Sequence, residues 1–261
     1  MRHRRFTRTT NTEPLRITER DLAILRAVDA HRLLRSDYVT ALIGGSRQNI
    51  LRRLGKLYHA GFLDRPVAQR LAFGKNAPLV YAIANKGARI VEHTNETVDW
   101  TVKNHSLTWL FLHHTLLVAD VLIRVEITCR TAGIAYERKA VSARLPVRPD
   151  AVFTLTHEHS SVIFYLEVDR ATMPIRRSSP RPTSFEQKIW RYRQFWVKKR
   201  AGTRMAVLTV TTTHARAQEI AARAASMMKN NGAGLFLFTS FDVLGDDILH
   251  APLRSGRGRD T

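Results

Sequence analysis

The chain has 261 residues and carries 42 Lys and Arg against 22 Asp and Glu, a formal net charge of +20 at pH 7. This length suits two modest domains, because domains commonly run to about 100–150 residues. The single cysteine, Cys129, excludes an intrachain disulfide and a cysteine-based zinc site. No apolar run suits a membrane span or a signal peptide, so a cytoplasmic protein is expected.

The positive charge is concentrated in two regions. Residues 1–90 hold 18 basic and 6 acidic side chains, and residues 141–200 hold 12 and 5. A sequence pI near 11.1 in a chain that can bury a core favours contact with a phosphate polyanion over general solubility. The distribution predicts that such a partner is touched at two places.

The N-terminal part predicts a basic arm followed by three short helices. Residues 1–13 offer nothing to pack and are expected to be disordered, and a domain over 14–98 follows. Thr18 is placed to cap the first helix with Asp21 at its third position. Ser36 and Ser46 are predicted to cap the second and third helices.

The third predicted helix separates apolar from polar residues. Its outer side carries Gln48, Asn49, Arg52, Arg53 and Lys56. Two predicted strands with a turn at 74–78 come next and include Arg70 and Lys75. This combination resembles a winged helix, in which the third helix enters the major groove of DNA and the wing lies on the backbone. A merely solvated face and a protein-interaction module are the alternatives.

The second predicted domain covers 99–250, after a linker at 93–99, and precedes a disordered tail at 251–261. It opens with a long helix from about 104 to 130, whose apolar stripe begins with Leu107, Leu110 and Phe111 and includes His114. A core histidine is the default reading of His114, with a role in the site as the alternative. Asp120, at the edge of the stripe, is a candidate for an extra metal ligand.

Three carboxylates are expected to converge at the centre of this domain. Asp150 precedes a predicted strand at 151–156, and Glu167 and Asp169 end the next strand. Side chains alternate across a strand, so Glu167 and Asp169 share one face and a hairpin brings Asp150 beside them. Such an oxygen-rich cluster suits Mg²⁺ or Mn²⁺.

The helix predicted from Ser184 to about Arg200 adds a lysine to this group. Lys188 falls within the apolar stripe of that helix, and an unpaired buried ammonium is costly. Lys188 is therefore expected to reach the carboxylates. Tyr192, on the same stripe, is interpreted as packing.

The remaining segments predict a strand at 204–211, a helix at 214–230 and a strand at 235–239. With the earlier elements they give a mixed α/β sandwich. The Pro- and Arg-rich bridge at 171–183 is read as a basic loop that grips DNA or as a surface insertion. Arg170 adds to the basic region beside it.

Two family resemblances follow from these motifs. Pro149-Asp150 and Glu167 resemble the PD-(D/E)XK nuclease pattern, although Asp169 stands where that pattern has lysine and Lys188 would be a displaced lysine. The run 167–172, the spacing from Lys188 to Tyr192, the upstream His114 and the winged helix together look like the replication-relaxation family. That resemblance covers about residues 15–240.

The resemblances imply a two-domain α+β/α/β protein, a winged helix followed by a PD-(D/E)XK-like domain. They imply a protein of a plasmid or mobile element that binds double-stranded DNA and nicks or cuts it with Mg²⁺ or Mn²⁺, alongside other replication or mobilisation proteins. Asp150 and Glu167 would hold the metal. Asp169 at the lysine position favours the alternative, an inactive accessory factor or transcriptional regulator. A tyrosine-dependent relaxase fits poorly, because no paired-histidine metal pattern is evident.

Overall fold

A computed structural model describes residues 5–9, 14–70, 77–91, 98–176, 184–198, 204–228, 233–245, 248 and 254–255. Contacts divide the chain into two units, Met1–Ile123 and Arg124–Thr261. The chain combines helices with two sheets, so the predicted mixed α/β class is confirmed.

The first unit is a set of helices with a small antiparallel sheet. Its elements are α1 (Glu19–His31), β1 (Leu34–Arg35), α2 (Ser36–Ile43), α3 (Arg47–His59), β2 (Leu63–Asp64), a 3-10 turn (Val67–Arg70), β3 (Val80–Ile83), α4 (Asn85–Ile90), α5 (Trp100–His105) and the first part of α6 (Trp109–Ala132). The strand order is β1-β3-β2. Ile24, Leu25, Ile50 and Leu54 are fully buried between the helices.

Two of the three predicted helix caps are present. Thr18 and Asp21 form a reciprocal capping box, in which the Thr18 amide donates to the Asp21 carboxylate at 2.7 Å. Ser46 accepts from the Asn49 amide. The prediction for Ser36 is wrong, because α2 begins at Ser36 itself. The short strand β1 directs the Ser36 amide to the Leu79 carbonyl at 2.8 Å, so Ser36 joins the helix to the sheet.

The basic arm is ordered where it is described, which corrects the expectation of disorder for residues 5–9. Arg8 donates to the carbonyl oxygens of Tyr58 and Leu63, each at 3.0 Å, and to the Asp64 carboxylate at 3.1 Å. These bonds hold the segment on the end of α3 and on β2. Residues 1–4 and 10–13 lie outside the described residues.

The long helix begins later than predicted. Asp99 caps α5 through the amides of Thr101 and Val102, and α6 starts only at Trp109, where the Thr108 hydroxyl accepts from the Phe111 amide at 3.3 Å. Residues 92–97, most of the predicted linker, lie outside the described part of the chain.

The first part of α6 belongs to the first unit, which moves the boundary from the predicted 98/99. Leu112 and Leu116 pack with Leu33, Val80 and Ala82. The predicted apolar stripe is wrong at its start, because Leu110 and Phe111 are exposed. The predicted single helix is divided into α5 and α6, so one helical pattern does not run through residues 104 to 130.

The second unit is a six-stranded sheet with two covering helices. It contains β4 (Ala135–Lys139), β5 (Ala151–His157), β6 (Ser160–Asp169), α7 (Phe185–Lys198), β7 (Arg204–Thr211), α8 (His214–Met228), a 3-10 turn (Ala233–Leu235), β8 (Phe236–Ser240) and β9 (Arg254–Ser255). The strand order is β4-β5-β6-β7-β8-β9, and β6, β7 and β8 are mutually parallel.

The order of these helices and strands agrees with the order predicted from the sequence. The β5–β6 hairpin turns at Glu158 and His159, where Glu158 has a φ of 51°. One difference lies in the tail, because residues 254–255 form β9 and pair with β8 instead of being disordered. The other residues predicted for the tail lie outside the described ones.

Parallel pairing sets the position of the carboxylates. β6 and β7 run side by side with Glu167 opposite Thr209 and Asp169 opposite Thr211. Helices α7 and α8 follow β6 and β7 and pack on the sheet through Ile189 and Ile220. The ends of β6 and β7 and the starts of both helices therefore meet at one edge of the sheet.

Candidate functional site

The outer face of α3 is basic and accessible. Gln48, Asn49, Arg52 and Lys56 are exposed, and Arg52 donates to the Asn49 side chain at 3.0 Å. A cavity of about 490 Å³ lies between this face and the start of α1, and its lining comprises Thr18, Glu19, Arg20, Asn49, Arg52, Arg53 and Lys56. Cations in such a position can meet phosphate without first breaking a buried contact.

Arg53 differs from its neighbours on α3. It forms an ion pair with Asp21, whose side chain is fully buried, and donates to the Arg16 carbonyl at 2.6 Å. Burial alone would raise the pKa of Asp21, but hydrogen bonds from Arg53 and Thr18 outweigh it and lower that pKa. Arg53 therefore joins α3 to α1. The helical pattern alone had grouped it with the residues predicted to contact DNA.

The predicted wing is described only in part. Arg70 belongs to the 3-10 turn, not to a strand, and its guanidinium lies 4.6 Å from the centre of the Phe6 ring. Lys75 lies outside the described residues. DNA contact by Arg70 and Lys75 stays a prediction.

Glu167 is the centre of the candidate site in the second unit. Its side chain is 3 % exposed, and both of its oxygens are occupied. Lys188 Nζ donates to Oε2 at 2.5 Å, and the Tyr192 hydroxyl donates to Oε1 at 2.7 Å. The predicted contact of Lys188 is present. Tyr192 was interpreted as a packing residue, and it also donates this hydrogen bond to Glu167.

Burial dominates the electrostatics of the site. It raises the pKa of Glu167 in spite of the Lys188 ammonium, and the charge of Asp150 raises it further. Burial and the Glu167 carboxylate also raise the pKa of Tyr192, so its phenol stays a donor. The site thus holds a carboxyl group that takes up a proton more readily than an ordinary glutamate.

Asp150 lies beside Glu167 and is fixed by backbone bonds. Its Oδ2 accepts from the Val168 amide at 2.7 Å, and its own amide donates to the Leu166 carbonyl at 2.9 Å. Among the described residues, no three His, Cys, Asp or Glu side chains come together as a metal-binding group. The expected cluster of three carboxylates is therefore wrong for this part of the chain.

Asp169 is absent from such a cluster because it has other partners. Arg216, in the first turn of α8, forms an ion pair with Asp169 and also donates to the Met173 carbonyl. Thr211 donates to Asp169 at 2.9 Å, and the Ala171 amide donates at 3.1 Å. Arg216 was not among the residues predicted for this site. Its place at the start of the helix after β7 was the available signal, because parallel β-α units bring that turn beside the end of β6.

The remaining candidates are distributed over both units. In the first unit His114 is half-buried, and Asp120 accepts a hydrogen bond from the Tyr38 hydroxyl. In the second unit Arg170 is half-buried directly after β6. Their predicted roles in a site stay predictions.

A family model described as replication-relaxation matches residues 25–211, more than half of the chain. The chain belongs to the replication-relaxation family. No curated protein and no solved structure matches it. The replication-relaxation match includes α3, Asp150, Glu167 and Lys188 and ends before Arg216. Membership implies a role in the replication or relaxation of mobile elements. None of the described helices combines the length and apolarity needed to cross a membrane.

Proposed function

We propose that this replication-relaxation protein binds duplex DNA of a plasmid or mobile element with its first unit and cleaves it with its second, using a divalent metal. The observation that carries the proposal is the buried contact between Glu167 and Lys188. With the adjacent Asp150 it brings a cation and two carboxylates together, and these are the groups that metal-dependent cleavage of a phosphodiester uses. The basic face of α3 supplies the means of holding DNA.

The first unit is proposed to be a winged helix. Three helices, α1 to α3, are followed by β2 and β3, and β1 completes an antiparallel sheet, which is the element order of that fold. In this arrangement α3 enters the major groove with Gln48, Asn49, Arg52 and Lys56 outward. Arg53 is left out of this set because it already pairs with Asp21.

The DNA-binding proposal is tested by salt titration. Each lost phosphate contact lowers the slope of log K against log salt by about 0.9, so Arg52→Ala with Lys56→Ala should lower it by about 1.8. Arg26→Ala, an exposed arginine on α1, is the matched control and should leave the slope unchanged. An unchanged slope in the double variant would place the DNA surface elsewhere.

The second unit is proposed to be a PD-(D/E)XK-like nuclease domain with Asp150, Glu167 and Lys188 as its working residues. The sheet supports this proposal, since an antiparallel hairpin ending in acids is followed by a helix and a parallel strand. In this chain α7 supplies the lysine in place of the strand. Lys188 would stabilise negative charge on the phosphate in the transition state.

The metal proposed for this site is Mg²⁺ or Mn²⁺, held by Asp150 and Glu167. Magnesium is usually bound by one or two carboxylates together with water and substrate phosphate, so a third acidic ligand is not required. The proximity of the two carboxylates fits a cation, because the charge of Asp150 already disfavours ionisation of Glu167. When bound, such an ion lowers the pKa of water and polarises the phosphate.

Cleavage is tested by nicking of supercoiled DNA with and without Mg²⁺ or Mn²⁺. Wild type should convert supercoiled to open-circular DNA only with the metal, and Glu167→Ala should not. Lys139→Ala, which removes an exposed pair with Glu137, is the control and should nick normally. Absence of nicking by a folded, DNA-binding wild type with either metal would reject the nuclease.

A specific observation favours a second candidate, an inactive nuclease fold that only binds DNA. Asp169 replaces the lysine of the PD-(D/E)XK pattern and is engaged by Arg216 and Thr211. Both oxygens of Glu167 are likewise occupied within the protein. This candidate predicts the salt slope described above together with no cleavage under any metal.

A further inference from the structure

Helix α7 has a second face that the proposed site does not use. Lys188 and Tyr192 point to Glu167, whereas Trp190 on the opposite side is 53 % exposed and Val197, two turns on, is 51 % exposed. A tryptophan this accessible leaves a large apolar surface in water. Exposed apolar groups gathered on one element commonly mark a binding surface.

Basic side chains surround this tryptophan. We define the outer face of α7 as Trp190, Arg191, Arg193, Val197 and Lys198, of which Arg193 is half-buried and the rest are exposed. The helix contains one acidic residue, Glu186, and it forms an ion pair with Arg223 of α8. The outer face therefore combines an accessible aromatic ring with three positive charges.

We propose that the outer face of α7 binds single-stranded nucleic acid, with Trp190 stacked on an unpaired base and Arg191, Arg193 and Lys198 on the backbone phosphates. Stacking on aromatic rings beside cations is the usual way in which proteins hold single strands without sequence preference. Bases of a duplex cannot serve, because their faces are covered by their neighbours. The proposal goes beyond duplex binding by α3 and requires no cleavage.

Charge distinguishes this occupant from a protein partner. Three cations around one ring match a polyanion, and the chain as a whole carries +20. Tryptophan and arginine also occur at protein interfaces, but three like charges around one ring select a polyanion. Single strands arise wherever duplex DNA is unwound, so this surface would have a ligand whether or not the second unit cleaves DNA.

The experiment measures binding of the full chain to oligothymidylate, by tryptophan quenching and by anisotropy of a labelled strand. Trp190→Ala and Trp190→Leu should each raise Kd about tenfold, whereas Trp190→Phe should stay within about threefold of wild type because it keeps a stacking ring. Arg191→Gln with Arg193→Gln should lower the salt slope by about 1.4.

Matched controls define the face. Trp196→Leu changes a tryptophan on the same helix, about 120° away around its axis, and should leave binding unchanged. Arg144→Gln removes an exposed arginine of the same unit and should not change the salt slope. Circular dichroism of each variant ensures that a loss of binding is not a loss of fold.

The proposal is overturned if the Trp190 variants and the paired arginine variant all bind oligothymidylate like wild type. It is also overturned if Trp190→Ala changes only the oligomeric state, which would assign the face to protein contact, or if Trp196→Leu loses as much affinity as Trp190→Leu. Duplex binding by Arg52→Ala with Lys56→Ala is measured in parallel. Failure of the α3 proposal would therefore be seen in duplex binding by the α3 variant, and not in oligothymidylate binding by the α7 variants.

Discussion

The basic face of α3 and the carboxylate site of the second unit use charge in opposite ways. On α3, Arg52 and Lys56 are exposed, and Arg52 makes a surface bond to Asn49. In the second unit Glu167 and Asp169 are buried, and each has a cation within reach. Exposed charges cost the fold little and can bind a polyanion, whereas a buried charge makes its partner necessary to the fold.

The largest expected effect on stability is that of Lys188→Met. Removing the ammonium leaves the buried Glu167 without its cation, which should lower the free energy of unfolding by about 3 kcal/mol. This value is at the lower end for a buried pair, because Lys188 is partly exposed and Glu167 can take up a proton. Urea unfolding at neutral pH measures this loss. Divalent metal should restore part of it by mass action, which would support a metal at Glu167.

Lys139→Met is the control for that measurement. It removes an exposed pair with Glu137, so its free energy of unfolding should change by less than about 1 kcal/mol. Equal losses in the two variants would mean that the Glu167–Lys188 contact carries no special weight.

A smaller effect is expected for Arg53, which lies on α3 but forms a buried ion pair like those of the second unit. Arg53→Ala leaves Asp21 buried without its cation, although the Thr18 bonds remain, and should cost about 2 kcal/mol. Arg52→Ala, one residue away and exposed, should change stability by less than about 0.5 kcal/mol. Thermal or urea unfolding of the two variants compares neighbours on one helix, and similar losses would contradict the assignment of Arg53 to the fold.

The smallest effect is a pH dependence from Glu167. Its pKa in the folded state lies above the ordinary 4.5, so the folded protein binds the proton more tightly than the unfolded chain. This contribution is fully present below the unfolded pKa and is lost as pH rises through the folded pKa, by at most about 1.4 kcal/mol per pH unit. Stability of wild type relative to Glu167→Gln should therefore fall as pH rises from about 4.5. A relative stability that rises over this range would mean that the pairing with Lys188 outweighs burial.

The strands and helices of the second unit were largely predictable, because their signals are local. The alternation through β5 and β6 and the apolar stripe of α7 follow directly from side-chain geometry. The contact of Lys188 with Glu167 was predictable for a related reason, since a lysine on an apolar stripe needs an acid and β6 supplies one.

Partners contributed by distant segments were not predictable in the same way. Arg216 is 47 residues from Asp169 in the chain, and Arg53 is 32 from Asp21. A helical pattern shows that an arginine lies on the outer side of its helix, but not which other segment packs against that side. The start of α6 was predicted wrongly because Asn104 of the separate α5 bonds to β2 and β3, which are distant in the chain.

The central claim, that α3 holds DNA and the Glu167 site cuts it, is tested most directly by nicking of supercoiled DNA against protein concentration with Mg²⁺ or Mn²⁺. Arg52→Ala with Lys56→Ala should shift the curve to higher concentration but reach the wild-type rate at saturation, because only binding is weakened. Glu167→Ala and Lys188→Ala should bind at the wild-type concentration and stay at least about a hundredfold slower at saturation. Wild-type nicking by both site variants, or saturating rates lost in the α3 variant alone, would contradict this division of tasks.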